Sequence, residues 1–184
     1  PDIITLAKAL SSAYLPISAT VISDELYQAF VAQSEKIGLF AHGFTYSAHP
    51  VCCAVALETL RLYEERDILG HVRAIAPRFL EGLRRFADHP LVGEVRGVGL
   101  IAGVELVRDK ATKAPFDPQA GIGPLFAARA QEHGLIVRAM GDTVALCPPL
   151  IITAGETDEM LRRFGRALED TAAAVKRAGL ASVA

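Results

Sequence analysis

Between residues 50 and 86 apolar side chains recur at the spacing of an α-helix, and this tract divides the chain into two parts of different character. Val51, Val55 and Leu62, with Cys52, Ala56, Leu60 and Tyr63, fall on one broad face, which predicts a long buried helix over residues 50–65. Ile68, Val72, Ile75, Phe79, Leu83 and Phe86 form a second helical set. Pro77 sits in its middle, so a kink or a split is expected there, because proline lacks the N–H that a helix interior needs. Ahead of the tract lie two short apolar runs in residues 3–22, broken by Ser11-Ser12-Ala13-Tyr14-Leu15-Pro16. The β-branched run 17–22 reads as a strand. Ser23 then offers an N-cap, Asp24 and Glu25 favour a first turn, and a helix is expected to about residue 33.

Behind the tract the pattern changes again. Residues 91–96 and 100–107 read as strands around Gly97-Val98-Gly99, and a helix over residues 124–133 is expected to stop at Gly134. Two short strands, 135–138 and 143–147, flank a turn at Gly141-Asp142. Thr153-Ala154-Gly155-Glu156 has capping-box spacing and opens a last helix carrying Met160, Leu161, Phe164, Leu168 and Val175. Residues 1–50 therefore read as the tail of an α/β unit, residues 51–69 as a joining helix, and residues 70–184 as a compact α+β unit.

The 184 residues are 51% hydrophobic and 22% charged with net charge -2, which describes an ordinary globular chain and excludes a basic nucleic-acid binder. Cys52, Cys53 and Cys147 form neither a CxxC pair nor an even framework, which argues against zinc and structural disulfides and for a reducing compartment. No leader, lipid anchor or bilayer-spanning run is expected, and the expected location is cytoplasmic. The chain opens on Pro1 and runs at once into apolar residues, so it reads as a fragment of a longer polypeptide.

Three residues are candidates for chemistry. Lys8 lies between an apolar run and the small residues Ala9-Leu10-Ser11-Ser12-Ala13; it either reaches solvent or serves as an amine nucleophile. Thr45 lies in residues 38–50, a stretch dense in aromatics and small residues that reads as a packed, ligand-facing loop. Its hydroxyl suits a phosphate oxygen near a helix start, or caps its own turn. Arg138 closes the strand 135–138; it either grips a carboxylate bidentately or forms a surface ion pair with Asp142 or another acid. Gly97-Val98-Gly99-Leu100-Ile101-Ala102 half-matches a dinucleotide motif, but a strand follows where a helix is needed. The five histidines lack metal-ligand spacing, and His42 and His49 read as loop-packing residues. No GxSxG elbow supports a serine hydrolase.

Taken in order, four segments resemble the class III pyridoxal-phosphate-dependent aminotransferases, of the omega-amino-acid:pyruvate or amine:pyruvate type. Residues 1–8 with Ser11-Ser12-Ala13-Tyr14-Leu15-Pro16 look like the family's cofactor-lysine segment, and residues 40–50 like the loop ahead of its long helix. Arg96-Gly97-Val98-Gly99-Leu100 with Gly103-Val104-Glu105-Leu106 is similar to a third hallmark. Gly134-Leu135-Ile136-Val137-Arg138, Gly141-Asp142-Thr143 and Cys147-Pro148-Pro149-Leu150 resemble the region of the substrate arginine. Ala41 and Ala48 stand where relatives more often have glycine. The resemblance implies fold type I, with residues 1–50 ending the large cofactor-binding domain and residues 70–184 forming the small C-terminal domain. It implies that Lys8 forms a Schiff base with pyridoxal 5'-phosphate and then moves the substrate proton. Phe44 and Thr45 would bind cofactor, Thr45 reaching the neighbouring subunit's phosphate in a homodimer, and Arg138 would pair with the substrate carboxylate. The implied reaction moves an amino group from an amine or omega-amino acid to pyruvate or a similar keto acid. The family's N-terminal half is absent, so this chain alone is expected to be inactive. A class III decarboxylase, aminomutase or racemase, and a non-catalytic truncated module, are the rival readings.

Overall fold

Ser23 and Thr153 open the first and last long helices, as their spacing predicts. The computed structural model describes residues 1–180, and they fall into two units, Pro1–Asp67 and the residues from Ile68 onward.

In the first unit strand β1 (Ile3–Leu6) pairs antiparallel with β2 (Ala19–Ile22), in the register Ile3 with Ile22 and Leu6 with Ala19. Between them a single 3-10 turn spans Lys8–Leu10. Helix α1 (Asp24–Ile37) begins where Ser23 Oγ accepts from Leu26 N. It runs past residue 33, where the sequence suggested an end, and stops at Gly38, whose φ of +80° a residue with a Cβ adopts only at a cost. Helix α2 (Pro50–Glu65) has proline at its first turn, where no N–H is missed. Its bounds match the apolar period, but it is not the buried helix expected: only Ala56 and Thr59 are buried, while Val51, Leu57 and Leu60 are exposed. Ser11, Ala56 and Thr59 are the only buried side chains of this unit. Its apolar faces on β1, β2, α1 and α2 have no core of their own to enter.

The second unit has a core. Helix α3 (Ile68–Arg84) continues unbroken through Pro77, against the expectation of a split. Pro77 is exposed, and Ile75, Phe79 and Leu83 bury on both sides of it. The carbonyl left without its N–H partner thus stands on the solvent side of the helix, where water replaces the lost bond. Strands β3 (Val92–Val98), β4 (Ile101–Leu106), β5 (Arg138–Met140) and β6 (Thr143–Leu146) make an antiparallel sheet in the order β3-β4-β6-β5. A bulge at Gly93 shifts the start of β3. One face of the sheet presents Ala102, Val104, Leu106, Val144 and Leu146 to the core, in the alternation that a half-buried strand requires.

Helices α3, α4 (Ile122–Glu132) and α5 (Ala154–Arg177) bring Phe79, Phe126 and Phe164 into that core, all fully buried. The Phe164 ring lies 4.9 Å from Phe126 and 5.2 Å from Phe86. The capping box forms: Thr153 Oγ1 accepts from Glu156 N, and Glu156 accepts from Thr153 N at 2.8 Å. Buried Thr157 and Thr171 return their hydroxyls to carbonyls one turn back. Among the described residues no helix is long and apolar enough to cross a membrane.

Candidate functional site

Lys8 opens the turn between β1 and β2 with φ +52°, and Ser12 and Ala13 follow at +48° and +62°. None is glycine, so each carries about 1–2 kcal/mol of left-handed strain. Strain of that kind persists where the surroundings over-determine the backbone. Here they do. The β1–β2 ladder fixes both ends, Leu10 N donates to Ala7 O at 3.1 Å, and Ser11 N donates to Lys8 O at 3.2 Å. The buried Ser11 hydroxyl donates to Leu15 O at 2.6 Å. From α2, Tyr63 donates to Ala9 O at 2.7 Å and stands 3.4 Å from the Ser12 hydroxyl. The Lys8 side chain is exposed and makes no hydrogen bond or ion pair with the described residues. The backbone is held and the amine is left free.

Thr45 and Phe44 lie in residues 39–49, ahead of α2. The sequence suggested a packed loop, but Phe40, Phe44 and Tyr46 are all exposed. The Phe40 and Phe44 rings join Phe30 and His42 in an edge-to-face file instead: Phe30 to Phe40 at 5.6 Å, Phe40 to His42 at 5.9 Å, His42 to Phe44 at 5.7 Å. His49 lies 6.4 Å from Tyr46. The turn 44–47 is closed by Ser47, whose Oγ accepts from Phe44 N at 3.0 Å and whose N donates to Phe44 O at 2.9 Å. Thr45 therefore does not cap its own turn, and its exposed hydroxyl keeps its bonding capacity. Ala48 has φ +54°. The N-terminus of α2 receives no side-chain cap from His49, so the N–H groups of Val51 and Cys52 also remain available, while Cys53 N donates to His49 O at 3.0 Å. About 20 Å of helix axis separates Pro50 from Tyr63, so Thr45 and the Lys8 turn attach to opposite ends of α2.

A cavity of about 920 Å³ lies elsewhere in the first unit, between β2, α1 and the ring file, with Ile22, Phe30 and Phe40 in its walls. It holds neither Lys8 nor Thr45. Its apolar lining suits packing against protein, not chemistry on a charged ligand.

In the second unit Arg138 opens β5; it does not close a strand. Residues 135–137 are no strand because Leu135 N is already used, donating to Ala130 O at 2.8 Å where the left-handed Gly134 closes α4. Arg138 pairs with Ala145, Ala145 with Gly103 and Gly103 with Arg96, so two arginines end one row on the face away from the core. They differ in their partners. Arg96 donates to Glu105 at 2.7 Å and has Glu94 at 3.9 Å, and the Glu105 carboxylate raises its proton affinity. Arg138 is exposed and makes no ion pair with the described residues. Asp142, the acid the sequence offered it, turns instead to α4, where its Oδ1 accepts from Gly123 N at 3.0 Å.

Two residues that hold the Lys8 turn escaped sequence reasoning, and a third was given another partner. Tyr63 looked like one apolar member of a helix face, Ser11 like part of a small-residue stretch, and Asp142 like half of a turn or an ion-pair partner for Arg138, where it caps α4. Only the run of small residues after Lys8 hinted at a tight backbone there.

The family model for Aminotransferase class-III matches residues 1–168. Gamma aminobutyrate transaminase 3, chloroplastic, of Solanum lycopersicum is 50% identical over 171 residues, covering 93% of this chain and 33% of that protein. A probable gamma-aminobutyrate transaminase 3, mitochondrial, of Oryza sativa subsp. indica is 50% identical, covering 93% of this chain and 34% of that one. The omega transaminase from Pseudomonas jessenii, solved in complex with PMP, superposes with a TM-score of 0.90 at 49% identity, over 96% of this chain and 39% of that chain. This chain thus spans about a third of the length of the curated relatives it matches. The mixed α/β architecture matches part of the transaminase fold, as expected. On this footing the chain belongs to the class III aminotransferases.

Proposed function

We propose that the chain is the lysine-bearing part of a pyridoxal-phosphate-dependent transaminase, and that the whole protein moves an amino group from an amine or omega-amino acid to pyruvate or a similar keto acid. The observation that carries the reading is Lys8: an exposed, unpartnered amine on a backbone turn strained and held from three sides. A free amine fits the aldehyde of pyridoxal phosphate, an unused hydroxyl beside uncapped helix N–H groups fits its phosphate, and the residues present thus suit the group. Bound there, pyridoxal phosphate supplies an electron sink for charge developing on the substrate carbon.

This chain's own residues do the rest. Lys8 Nζ would hold the cofactor and would carry a proton to or from the substrate carbon. Thr45 would donate its hydroxyl to a phosphate oxygen, and the exposed Phe44 ring would help hold the cofactor. The distance along α2 between Thr45 and the Lys8 turn supports Thr45 serving the neighbouring subunit's cofactor in a homodimer. Arg138 would pair with the substrate carboxylate; having no acid partner among the described residues leaves it able to do so. The relatives' names support an omega-amino acid such as gamma-aminobutyrate among the donors. Residues 1–50 would end the large cofactor-binding domain, residues 51–69 join it to the small domain, and residues 70–184 form the latter. The division at Asp67 and Ile68 supports this scheme. The cysteine usage favours a reducing compartment, cytoplasm first; relatives named chloroplastic and mitochondrial make organelle import the alternative that a localisation experiment decides.

The test is an assay of the polypeptide at its full natural length with an amine donor and pyruvate. Alanine and the matching aldehyde or ketone should appear together in equal amounts. Carbon dioxide or an isomerised amine in their place would sink transamination in favour of a decarboxylase or aminomutase.

A further inference from the structure

Arg138 stands on a strand with little to hold it. Strand β5 lies at the edge of the sheet and pairs with β6 through Arg138, Ala139 and Met140 alone. What fixes its direction lies beyond those three residues, at two points where the chain meets α4, with added bonds from α5 and β4. At one end Leu135 N donates to Ala130 O at 2.8 Å, and Arg163 adds a bond to Gly134 O at 2.6 Å. At the other end the Gly141-Asp142 turn rests on the first turn of α4. Gly121, the N-cap of that helix, has no side chain to offer its N–H groups, and Asp142 Oδ1 takes that role from across the fold, accepting from Gly123 N at 3.0 Å. A carboxylate there also meets the positive end of the helix. The seat is close-fitting: a Cβ on Gly123 would stand 1.9 Å from Gly141 O. Asp142 O in turn accepts from Leu106 N at 2.9 Å, so the same residue ties the hairpin to β4.

Resting on the reading of Arg138 as the carboxylate-binding residue, we propose that Asp142 is a positioning residue for it: by capping α4 from the β5–β6 turn, Asp142 sets the angle at which β5 presents Arg138. A misplacement of about 1 Å in a positioning group can cost up to a hundredfold, so a loosened hairpin should be felt where a carboxylate must be gripped and not elsewhere.

The experiment compares acceptors in the full-length holoenzyme: pyruvate, which carries a carboxylate, and an aldehyde that lacks one. In Asp142→Ala the KM for pyruvate should rise about tenfold, while kcat and KM for the aldehyde stay within about twofold. Asp142→Asn, whose amide oxygen still accepts the N–H, should restore the pyruvate KM, and Gly123→Ala should reproduce the defect without touching Asp142. Asp142→Glu carries the test if Asp142→Ala does not fold, since one added methylene moves the turn while keeping the bond. Equal losses with both acceptors, or no change with either, would overturn the proposal. Arg138→Ala is the control. If it shifts the pyruvate-to-aldehyde preference and Asp142→Ala does not, the positioning role fails and Arg138 keeps its own. If Arg138→Ala shifts nothing, the reading of Arg138 fails and takes the inference with it.

Discussion

Tyr63 donates its phenolic hydrogen to the carbonyl oxygen of Ala9, the residue after Lys8, across 2.7 Å. The bond joins the last turn of α2 to the strained turn between β1 and β2, and it acts on backbone, leaving the Lys8 amine alone. Tyr63→Phe keeps the ring and removes the bond. It should cost about 0.5–1 kcal/mol, the low end for a hydrogen bond at a partly wet site. Chemical denaturation of the full-length protein measures it, and an unchanged midpoint would show that the turn is held without Tyr63.

Ala48 adopts φ +54° just ahead of α2. The left-handed conformation costs a residue with a Cβ about 1–2 kcal/mol, while glycine loses about 0.5–1 kcal/mol more chain entropy on folding. The strain is the larger, so Ala48→Gly should stabilise by about 0.5–1 kcal/mol. A fall in the unfolding midpoint would contradict this.

Phe164 is fully buried between Phe86 and Phe126. Phe164→Ala should cost about 3–5 kcal/mol, the range for deleting a buried aromatic ring and leaving its cavity. Equilibrium unfolding reads it; a loss under about 1 kcal/mol would mean that the core closes over the gap.

Glu159 pairs with Arg162 and accepts from Arg163 at 2.7 Å, and these bonds, Arg162's first, hold its carboxyl at about 2, below the ordinary 4.5. A depressed acid stabilises the fold above its unfolded pKa, and that contribution is lost as pH falls from about 4.5 towards 2. Thermal unfolding of the native protein and Glu159→Gln should differ most above pH 5 and converge near pH 2. The pairs are exposed, so high salt should shrink the difference. A difference that holds constant across that range would dismiss the linkage.

Local signals in the sequence were read well and long-range ones were not. Ser23, Thr153 with Glu156, Gly134 and the Gly141-Asp142 turn act within a few residues, and each stands where its chemistry predicts. The strand expected over residues 135–138 failed because a cap hydrogen bond and a strand look alike to a run of apolar residues. Pro77 failed to split α3 because an exposed proline can be bridged by core packing on both sides. The left-handed turn at Lys8 left only a faint hint in its run of small residues, since glycine would have flagged it and none is present. The apolar period of α2 marked a helix correctly but could not say that only Ala56 and Thr59 of it would be buried. Motif resemblance singles out Lys8, Thr45 and Arg138 as candidates; Tyr63 and Asp142 act through bonds to residues far along the chain, which no spacing reveals.

The central claim is that Lys8 holds the cofactor. The full-length protein, loaded with pyridoxal phosphate, reduced with borohydride and digested, should yield one phosphopyridoxyl-modified peptide, the one containing Lys8. The Lys8→Ala protein should yield none and should lose transamination. A modified peptide elsewhere in the chain, or a Lys8→Ala protein that still transaminates at the native rate, would contradict the account.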